Sequence, residues 1–344
     1  MSVAVIADWD ADGIVAAAQI VYAQERLGIF PLRARAPVDL IPSGPRGFRE
    51  KVAGKCWDHL IVADIPFTVE VQLGLDDLSS RCSYSLYYFD HHDTTVRNKE
   101  LLEKRYREQR ALVVVGSYST SQLVRNFLER HGIKPTPRLK QFIEAVNFIE
   151  GGRRSSNNNE GAIKIVVSIS KRLNITKSTE EWQKYVRWLA SPIPFDELDL
   201  AQGKEAPEII TESLKTSKEA DEELKSVAMD FAMSARRVGF VKFVDARNRW
   251  MGRGASALAS AIHKTVKEPV VLLVNRDDGT VLVIVRSSRG EAGKIIQHLY
   301  ENGIVEDRGG HQNIAIARLS REVSVADLER AILRASLDVS RDHF

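Results

Sequence analysis

Three groups of acidic and imidazole side chains in the first third of the chain have the types and order to perform chemistry together. They are the loop Asp8–Gly13 (DWDADG), the single Asp64, and the run Asp90–Asp93 (DHHD). Carboxylates crowded in one place repel one another unless cations lie among them. Carboxylate mixed with imidazole is a donor set typical of Mn²⁺, Zn²⁺ or Fe²⁺ rather than of Ca²⁺. The residue types therefore predict a divalent-metal site.

Within the first group, the carboxylates stand at alternate positions. In an extended segment such side chains point the same way, so Asp8, Asp10 and Asp12 can reach one or two cations together. Gly13 allows a sharp turn into the helix that follows. An acidic, solvated turn is the alternative interpretation of this loop taken alone.

The other two groups leave similar alternatives open. Taken alone, Asp64 is most simply a turn former or helix cap at the end of a strand. His91 and His92 point to opposite faces of a strand unless the backbone turns there, so one can bind metal while the other contacts substrate. Asp90 could orient an imidazole.

Each group directly follows a short hydrophobic run with strand character. The runs are 3–7, 60–63 and 86–89, and a fourth strand is predicted at 111–115. Their continuous apolar character is typical of a parallel sheet buried on both faces. Helical patterns between them predict a doubly wound α/β domain. Because ligands of such sheets gather beyond the carboxyl ends of the strands, we expect the three groups to meet at one edge.

Helix starts in this half carry capping signals. A helix is predicted over Ser119–His131, another begins near Pro137, and Ser178–Glu181 (STEE) forms a capping-box pattern. Backbone N–H groups around Ser117–Ser121 could bind an anion. Helix capping explains those serines and threonines equally well.

The second half returns to β/α alternation after a polar loop at 151–161. Residues 202–226 are rich in Lys and Glu and predict a solvated helix that bridges two domains. The elements predicted beyond it are strand 238–244, helix 255–266, a hairpin of strands 270–274 and 281–285, helix 290–301, loop 308–311, strand 313–319 and helix 324–336.

A chain of 344 residues has room for about two domains. We expect a doubly wound parallel-sheet domain over 1–150, a helical connector over 151–235, and a smaller α/β domain over 236–344, with the active site in the cleft between the two α/β domains.

Composition narrows the class of protein. The chain is 44% hydrophobic and 28% charged, and no apolar run approaches the ~20 residues of a membrane span. A strand pattern from Val3 leaves no room for a signal peptide. Cys56 and Cys82 predict neither a metal site nor a disulfide framework, so a reducing cytoplasm is the expected location. The net charge of +3 favours a small or short anionic substrate, and no membrane partner is expected.

Two segments of the second half could bind such a substrate. Gly309 and Gly310 would let backbone N–H groups approach an anion closely, and His311 adds a donor or stacking surface. Arg286, at the end of an apolar strand, could clamp phosphate. A simple turn and a surface charge are the alternatives. The segment Asp245–Arg253, with three arginines and Trp250, is a candidate groove for longer single strands or an exposed turn.

This set of motifs resembles the DHH phosphoesterases, which include the RecJ single-strand exonucleases and the NrnA-like oligonucleotide and cyclic-dinucleotide phosphodiesterases. The likeness comprises ADWDADG, the Asp of IVADIPF and FDHHDTT in the first half. In the second half it comprises Val285–Ser288 (VRSS) and Arg308–His311 (RGGH), as in the DHH-associated C-terminal domain. Order and spacing agree across nearly the whole chain.

The resemblance implies two Mn²⁺ ions, or Mg²⁺ in their place, and a role for each motif residue. Asp90 and His92 would be catalytic. The implied metal ligands are Asp8 and Asp10 on one ion, Asp12 and His91 on the other, and Asp64 between them. The implied substrate-binding residues are His92, Arg286, Ser287, Gly309, Gly310 and His311.

One family position departs from the pattern. The family usually has another metal-binding Asp near the end of the helix after the fourth strand, and the best-matching residue here is Asn147. We keep Asn147 in the metal set, since an amide oxygen can ligate a hard cation, but it brings no negative charge. Glu150 is three residues further on and near enough on a helix to substitute.

Two functions follow as hypotheses. The first is a Mn²⁺-dependent phosphodiesterase or exonuclease acting on single-stranded or short oligonucleotides or on a cyclic dinucleotide, with a homodimer as one arrangement. The second is a catalytically weak or inactive single-strand-binding scaffold of the same fold, which Asn147 favours. Against the scaffold, packed carboxylates and imidazoles destabilise a protein that does not use them.

Overall fold

A computed structural model describes residues 1–151, 159–193, 208–250, 254–276 and 278–341, without the side chains of His311, Ser340 and Arg341. The chain forms two compact units, Met1–Lys218 and Glu219–Phe344. The boundary falls inside one long helix, so the predicted connector over 151–235 is divided between them. The predicted domain boundaries themselves stay a prediction.

Unit 1 contains a five-stranded sheet in the order β2-β1-β3-β4-β5, in which every pairing is parallel. The strands are β1 (Val3–Ala7), β2 (Val38–Pro42), β3 (His59–Ala63), β4 (Ser85–Asp90) and β5 (Leu112–Val115). The parallel sheet confirms the predicted α/β class. Strand β2 was not predicted, because Asp39 and Pro42 interrupt its apolar run.

Nine helices of unit 1 lie within the described residues, together with a π-helical extension of the first over Tyr22–Leu27 and a 3₁₀ turn at Pro45–Gly47. They are α1 (Ala11–Val21), α2 (Phe48–Val52), α3 (Val69–Ser79), α4 (Asp93–Arg97), α5 (Lys99–Arg105), α6 (Thr120–Arg130), α7 (Pro137–Ile149), α8 (Glu160–Thr176) and α9 (Thr179–Leu189). The predicted caps are present: Ser119 accepts from the N–H of Gln122, and Ser178 accepts from that of Glu181.

Successive residues of β1 point into two separate cores. Val3, Val5 and Ala7 pack with one buried cluster, whereas Ala4 and Ile6 pack with another on the opposite face of the sheet. Both faces are therefore covered, which is why the strands are continuously apolar. This is the doubly wound arrangement that the sequence predicted.

Unit 2 is built on a six-stranded sheet in the order β10-β11-β9-β8-β7-β6. The strands are β6 (Arg236–Val238), β7 (Val241–Asp245), β8 (Val270–Asn275), β9 (Val281–Arg286), β10 (Val305–His311) and β11 (Ile314–Leu319). Among the described strands of this unit, only β7 and β8 pair in parallel. The helices are α10 (Glu208–Ser234), which also extends into unit 1, α11 (Ala255–Val266), α12 (Glu291–Glu301) and α13 (Val325–Arg341). Among the described residues, no helix has the length and apolar character needed to cross a membrane.

Two predictions for this unit were wrong. The strand predicted over 238–244 is two antiparallel strands, because Gly239 adopts φ 62° and reverses the chain. A Cβ on Gly239 would also lie 2.6 Å from the side chain of Ser336. The segment predicted as loop 308–311 belongs to β10, where Gly309, Gly310 and His311 pair with β11 beyond a register shift. The predicted loop 151–161 falls largely outside the described residues, as do 202–207 of the predicted connector helix.

The prediction that the two cysteines form no disulfide was also wrong. Cys56 and Cys82 are disulfide-bonded, with their Cα atoms 5.8 Å apart. Each lies three residues before the first residue of its strand, and His59 of β3 is paired in register with Ser85 of β4. The strand register therefore brings the cysteines together, at the amino ends of the strands. The cysteines no longer support a reducing compartment.

Candidate active site

The acidic groups of unit 1 converge where the strand order reverses. Chain order runs outward from β1 to β2 on one side and from β3 to β5 on the other, so β1 and β3 are the neighbours at the switch point. Asp8 follows β1, and Asp64 follows β3. The helices that leave the two strands diverge to opposite faces of such a sheet and open a crevice there.

The loop after β1 is held in place by its own backbone and by α9. The carboxylate of Asp10 caps α1 by accepting from the N–H groups of Asp12 and Gly13 at 3.0 and 3.1 Å. The indole N–H of Trp182 donates to the carbonyl of Asp8 at 3.1 Å. A Cβ on Gly13 would lie 2.6 Å from that same carbonyl oxygen, so only glycine allows the helix to start this close to Asp8.

The amino end of α6 binds two of the carboxylates. Both oxygens of Asp12 accept backbone N–H groups, from Thr120 at 2.6 Å and from Ser121 at 2.7 Å. The hydroxyl of Thr120 donates to Asp64 at 3.0 Å. The segment that we expected to bind an anion or to cap a helix does both, since Ser119 caps α6 and the anion is a side chain of the protein itself.

Asp64 adopts a left-handed backbone, with φ 60°. Its N–H donates to the carbonyl of Phe89 at 2.9 Å, which continues the pairing of β3 with β4 by one residue before the chain turns. Asp and Asn tolerate this conformation better than other non-glycine residues do. The turn brings the Asp64 carboxylate back over the end of the sheet, where it is 1% exposed.

The two histidines after β4 have different partners. His91 Nε2 lies 3.6 Å from Asp64 Oδ1 and 3.9 Å from Asp12 Oδ2. His92 Nδ1 lies 2.7 Å from Asp90 Oδ1, and Asp90 is fully buried. We call His92 and Asp90 the dyad. The hydroxyl of Thr95 donates to the other oxygen of Asp90, so the carboxylate is held on both sides.

Two groups of ligand atoms are compact enough to surround an ion. One is Asp8, Asp10 and Asp64, and the other is Asp64, His91 and His92; within each group all the ligand atoms lie within 4.8 Å of one another. Asp64 belongs to both. The convergence expected from the strand positions is therefore present.

Burial makes this cluster unfavourable for bare carboxylates. Burial first, and the charge of Asp10 second, raise the pKa of Asp8 to about 7 and the pKa of Asp12 to about 7. The same two causes raise the pKa of Asp64 well above its usual value, with Asp12 adding to them. Burial lowers the pKa of His92, but its hydrogen bond to Asp90 and the neighbouring acids outweigh burial, so its pKa is raised. Carboxylates crowded this closely favour their protonated, neutral forms unless cations lie among them. Carboxylate oxygens together with imidazole nitrogens are a donor set that fits divalent cations.

The family position that departs from the motif lies beside this cluster. Asn147, at the end of α7, accepts from the hydroxyl of Ser119 at 3.5 Å, the residue that caps α6. Glu150 follows α7 as its C-terminal cap, and partial burial and the charge of Asp10 raise the pKa of its carboxyl.

In unit 2 the strand register aligns the predicted substrate-binding residues. Ile314 of β11 pairs with His311 on one side and with Arg286 on the other. Arg286 donates from Nη1 to the carbonyl of Asn313 at 2.7 Å. The ends of β9 and β10 therefore lie in one row across three strands. The His311 side chain is outside the described residues.

Sequence reasoning missed three residues that shape the site in unit 1. They are Thr95 and Trp182, which hold Asp90 and the Asp8 backbone, and Thr120, whose hydroxyl contact to Asp64 was not foreseen although its segment was expected to bind an anion. For the two threonines, a hydroxyl shortly past a predicted strand end or helix cap was a usable signal. Trp182 gave none, because it lies 174 residues from its partner.

Comparisons with known proteins give structural neighbours but no sequence relatives. No protein-family model matches the chain, and no curated protein matches it. The structure of RecJ from Thermus thermophilus in complex with Mn²⁺ is 17% identical in sequence and superposes with a TM-score of 0.60. The match covers 98% of this chain and 52% of the RecJ chain. The chain thus spans about half the length of that protein.

Two further structures are similar over most or all of their length. An exonuclease RecJ bound to manganese is 16% identical in sequence, with a TM-score of 0.51, and the match covers 100% of this chain and 90% of that RecJ chain. PggH, a pGpG-specific phosphodiesterase from Vibrio cholerae, is 11% identical with a TM-score of 0.52, and covers 99% of each chain. Together with the two sheets described above, these likenesses show that the chain has the two-domain α/β fold of the DHH-family phosphoesterases.

Proposed function

We propose that the chain is a divalent-metal-dependent phosphodiesterase that hydrolyses single-stranded or short oligonucleotides. The observation that carries the proposal is the convergence of Asp8, Asp10, Asp64, His91 and His92 at the switch point of the sheet. Structures of this fold are solved with Mn²⁺ or Mg²⁺. Two such ions, when bound, would supply an activated water and neutralise charge on the phosphate.

The protein residues would then have distinct tasks. Asp8, Asp10 and Asp64 would hold one ion, and Asp64 and His91, with Asp12 beside them, would hold the other. Asn147 would be a neutral ligand in this set.

The dyad would contact the phosphate group of the substrate. Asp90 accepts the Nδ1 proton of His92, which fixes the imidazole and leaves Nε2 to face the phosphate. The raised pKa of His92 favours the imidazolium, which can bind a phosphoryl oxygen or donate a proton to the leaving oxygen.

The charges of unit 2 favour a short substrate. The guanidinium of Arg247 is paired with Asp245 at 2.7 Å, and that of Arg249 lies over the ring of Phe231 at 4.7 Å. Because Asp245 neutralises Arg247, the described part of this segment offers less free positive charge for binding a long strand. Arg253 lies outside the described residues.

We propose Arg286, Ser287 and the Gly309–His311 strand as the substrate contacts. We propose a cytoplasmic location, solely because the proposed substrates are oligonucleotides.

A catalytically weak scaffold is the second candidate, and Asn147 is the observation that favours it. A neutral amide at this position lowers the negative charge available to one ion. Asn147→Asp separates the two functions: in an enzyme limited by this ligand the change raises activity, whereas in a scaffold it restores none.

The test is a substrate panel with and without Mn²⁺. End-labelled RNA and DNA of graded length, together with linear and cyclic dinucleotides, are incubated with the wild-type chain and with Asp10→Asn. Asp93→Asn is the matched control, because Asp93 adjoins the dyad in sequence but has an 89% exposed side chain paired with Arg97. We expect Mn²⁺-dependent release of mononucleotides by wild type and control only. No release from any substrate would refute the enzyme.

A further inference from the structure

The loop that follows β9 is fastened to the β10–β11 hairpin. The N–H of Ser287 donates to the carbonyl of Asn313 at 2.9 Å, and that of Gly290 donates to its side-chain oxygen at 2.9 Å. The N–H of Gly293 donates to the carbonyl of Gln312 at 3.1 Å. The loop 287–290 is therefore held in one position beside the predicted substrate strands.

One exposed hydroxyl in this loop is bound to a buried histidine. Ser288 Oγ lies 2.7 Å from His263 Nε2, and His263 Nδ1 lies 2.6 Å from the carbonyl oxygen of Glu268. His263 is 9% exposed, whereas Ser288 is exposed. His263 belongs to none of the motifs that predicted the function, and Ser288 was assigned no role by them.

The carbonyl decides where the protons lie. A carbonyl can only accept, so the neutral imidazole of His263 carries its proton on Nδ1. Its Nε2 must then accept, and the hydroxyl of Ser288 must donate to it. Ser288 Oγ consequently offers only lone pairs to anything that approaches from solvent.

This hydrogen-bonded chain resembles an activated serine nucleophile, but its surroundings lack what that chemistry needs. The neighbouring backbone donors are already used: Arg289 N–H donates to the carboxylate of Glu291, and Ala292 N–H donates to the hydroxyl of Ser287. Gly290 N–H is engaged as described above. No pair of these N–H groups is left to stabilise an oxyanion.

We propose that Ser288 is a specificity-determining contact that accepts a hydrogen bond from the nucleoside part of the substrate, and that His263 is the positioning residue that makes it an acceptor. Phosphate oxygens only accept, so they cannot satisfy Ser288, whereas Arg286 and Arg289 beside it can bind them. The donors that distinguish one nucleotide from another are the ribose 2′-hydroxyl, the exocyclic amino group of cytosine, adenine or guanine, and the imino N–H of uracil, thymine or guanine. The inference rests on the proposed function.

The experiment measures binding of four dinucleotides to the full chain in EDTA, so that it does not depend on hydrolysis. The ligands are the ribo- and 2′-deoxyribo- forms of UpU and CpC. Ser288→Ala should weaken binding about 2- to 12-fold, the loss of one neutral hydrogen bond, and Ser288→Thr should restore it. A loss confined to both ribonucleotides identifies the 2′-hydroxyl, one confined to both cytidine ligands identifies the amino group, and one confined to both uridine ligands identifies the imino N–H.

Several results would overturn the inference. They are an equal loss for all four ligands, which would indicate a contact to the phosphate or to a terminal hydroxyl that all four share, no loss for any ligand, or no binding by the wild type. Ser260→Ala, which removes a hydroxyl from α11 near His263 in sequence, is the control and should change nothing. The ¹⁵N shifts of His263 should show the Nδ1–H form, and the opposite tautomer would contradict the assignment. Failure of the proposed function is a separate result, namely no hydrolysis of any dinucleotide after Mn²⁺ is added.

Discussion

The affinity of the protein for divalent cations should depend steeply on pH. The pKa values of Asp8 and Asp12 are each raised to about 7, and that of Asp64 is raised well above its usual range. Metal ligands of this type bind as carboxylates, so a cation must displace the protons that these groups hold at neutral pH. Lowering the pH from 8 to 6 is therefore a direct perturbation of the site.

The expected magnitude follows from the two values near 7. Between pH 8 and pH 6, such a group changes from about nine-tenths ionised to about one-tenth, which weakens binding about 10-fold. Asp8 and Asp12 together predict about 100-fold weaker binding at pH 6, or about 3 kcal/mol. Protonation of Asp64 adds to the loss.

The metal-free fold should respond in the opposite sense. A carboxyl group whose pKa is higher in the folded than in the unfolded protein stabilises the fold below its unfolded value of about 4. That stabilisation is lost as the pH rises through about 7. The EDTA-treated protein should therefore have a lower Tm at pH 8 than at pH 6, and saturating Mg²⁺ should remove this difference.

Calorimetric titration with Mg²⁺ at pH 6, 7 and 8, in buffers of different ionisation enthalpy, measures both the affinity and the number of protons released. We expect about one to two protons released per site at pH 7. Asp93→Asn should give the wild-type profile. An affinity independent of pH, or binding without proton release, would refute the account of the cluster.

Three further predictions concern two residues that support the site and the disulfide at the opposite end of the same sheet. Thr95→Val leaves an oxygen of the dyad without its donor, so we expect about 10-fold lower kcat with little change in KM, and Thr95→Ser should restore it; an unchanged kcat would contradict this role. Gly13→Ala sets a methyl against the backbone of Asp8, and should lower stability to urea by about 1–3 kcal/mol and weaken Mn²⁺ binding; wild-type values of both would show that the close approach is not required. Reduction of Cys56–Cys82 should lower the free energy of unfolding by about 3 kcal/mol without altering Mn²⁺ affinity, because the disulfide lies at the other end of the strands; a coupled loss of affinity would contradict that separation.

Local patterns were sufficient where one segment carries the whole signal. Ser119 and Ser178 cap helices as predicted, because a cap needs only residues three positions apart. Local patterns failed where a single residue alters the secondary structure that an apolar segment would otherwise predict. Gly239 divides one apolar segment into two strands, and Pro42 obscured β2, although both segments do form strands.

The convergence of the acidic groups was predictable because it follows from an order rule. Residues directly after neighbouring parallel strands must meet at one edge, and Asp8 and Asp64 satisfy that condition. The disulfide follows from the same sheet, in which residue 59 pairs with residue 85. It was missed because the sequence of neither strand alone predicts how the two strands align.

The amino-acid sequence by itself determined the chemistry available to this protein: carboxylates and imidazoles placed after apolar strands, and hence a candidate site for divalent cations. The tertiary structure alone decided which donor holds which oxygen. Asp12 is bound by backbone groups more than a hundred residues away, and Ser288, in a loop, is hydrogen-bonded to His263 of α11. Such pairings arise only when distant segments pack against each other, because each depends on distances that no local pattern encodes.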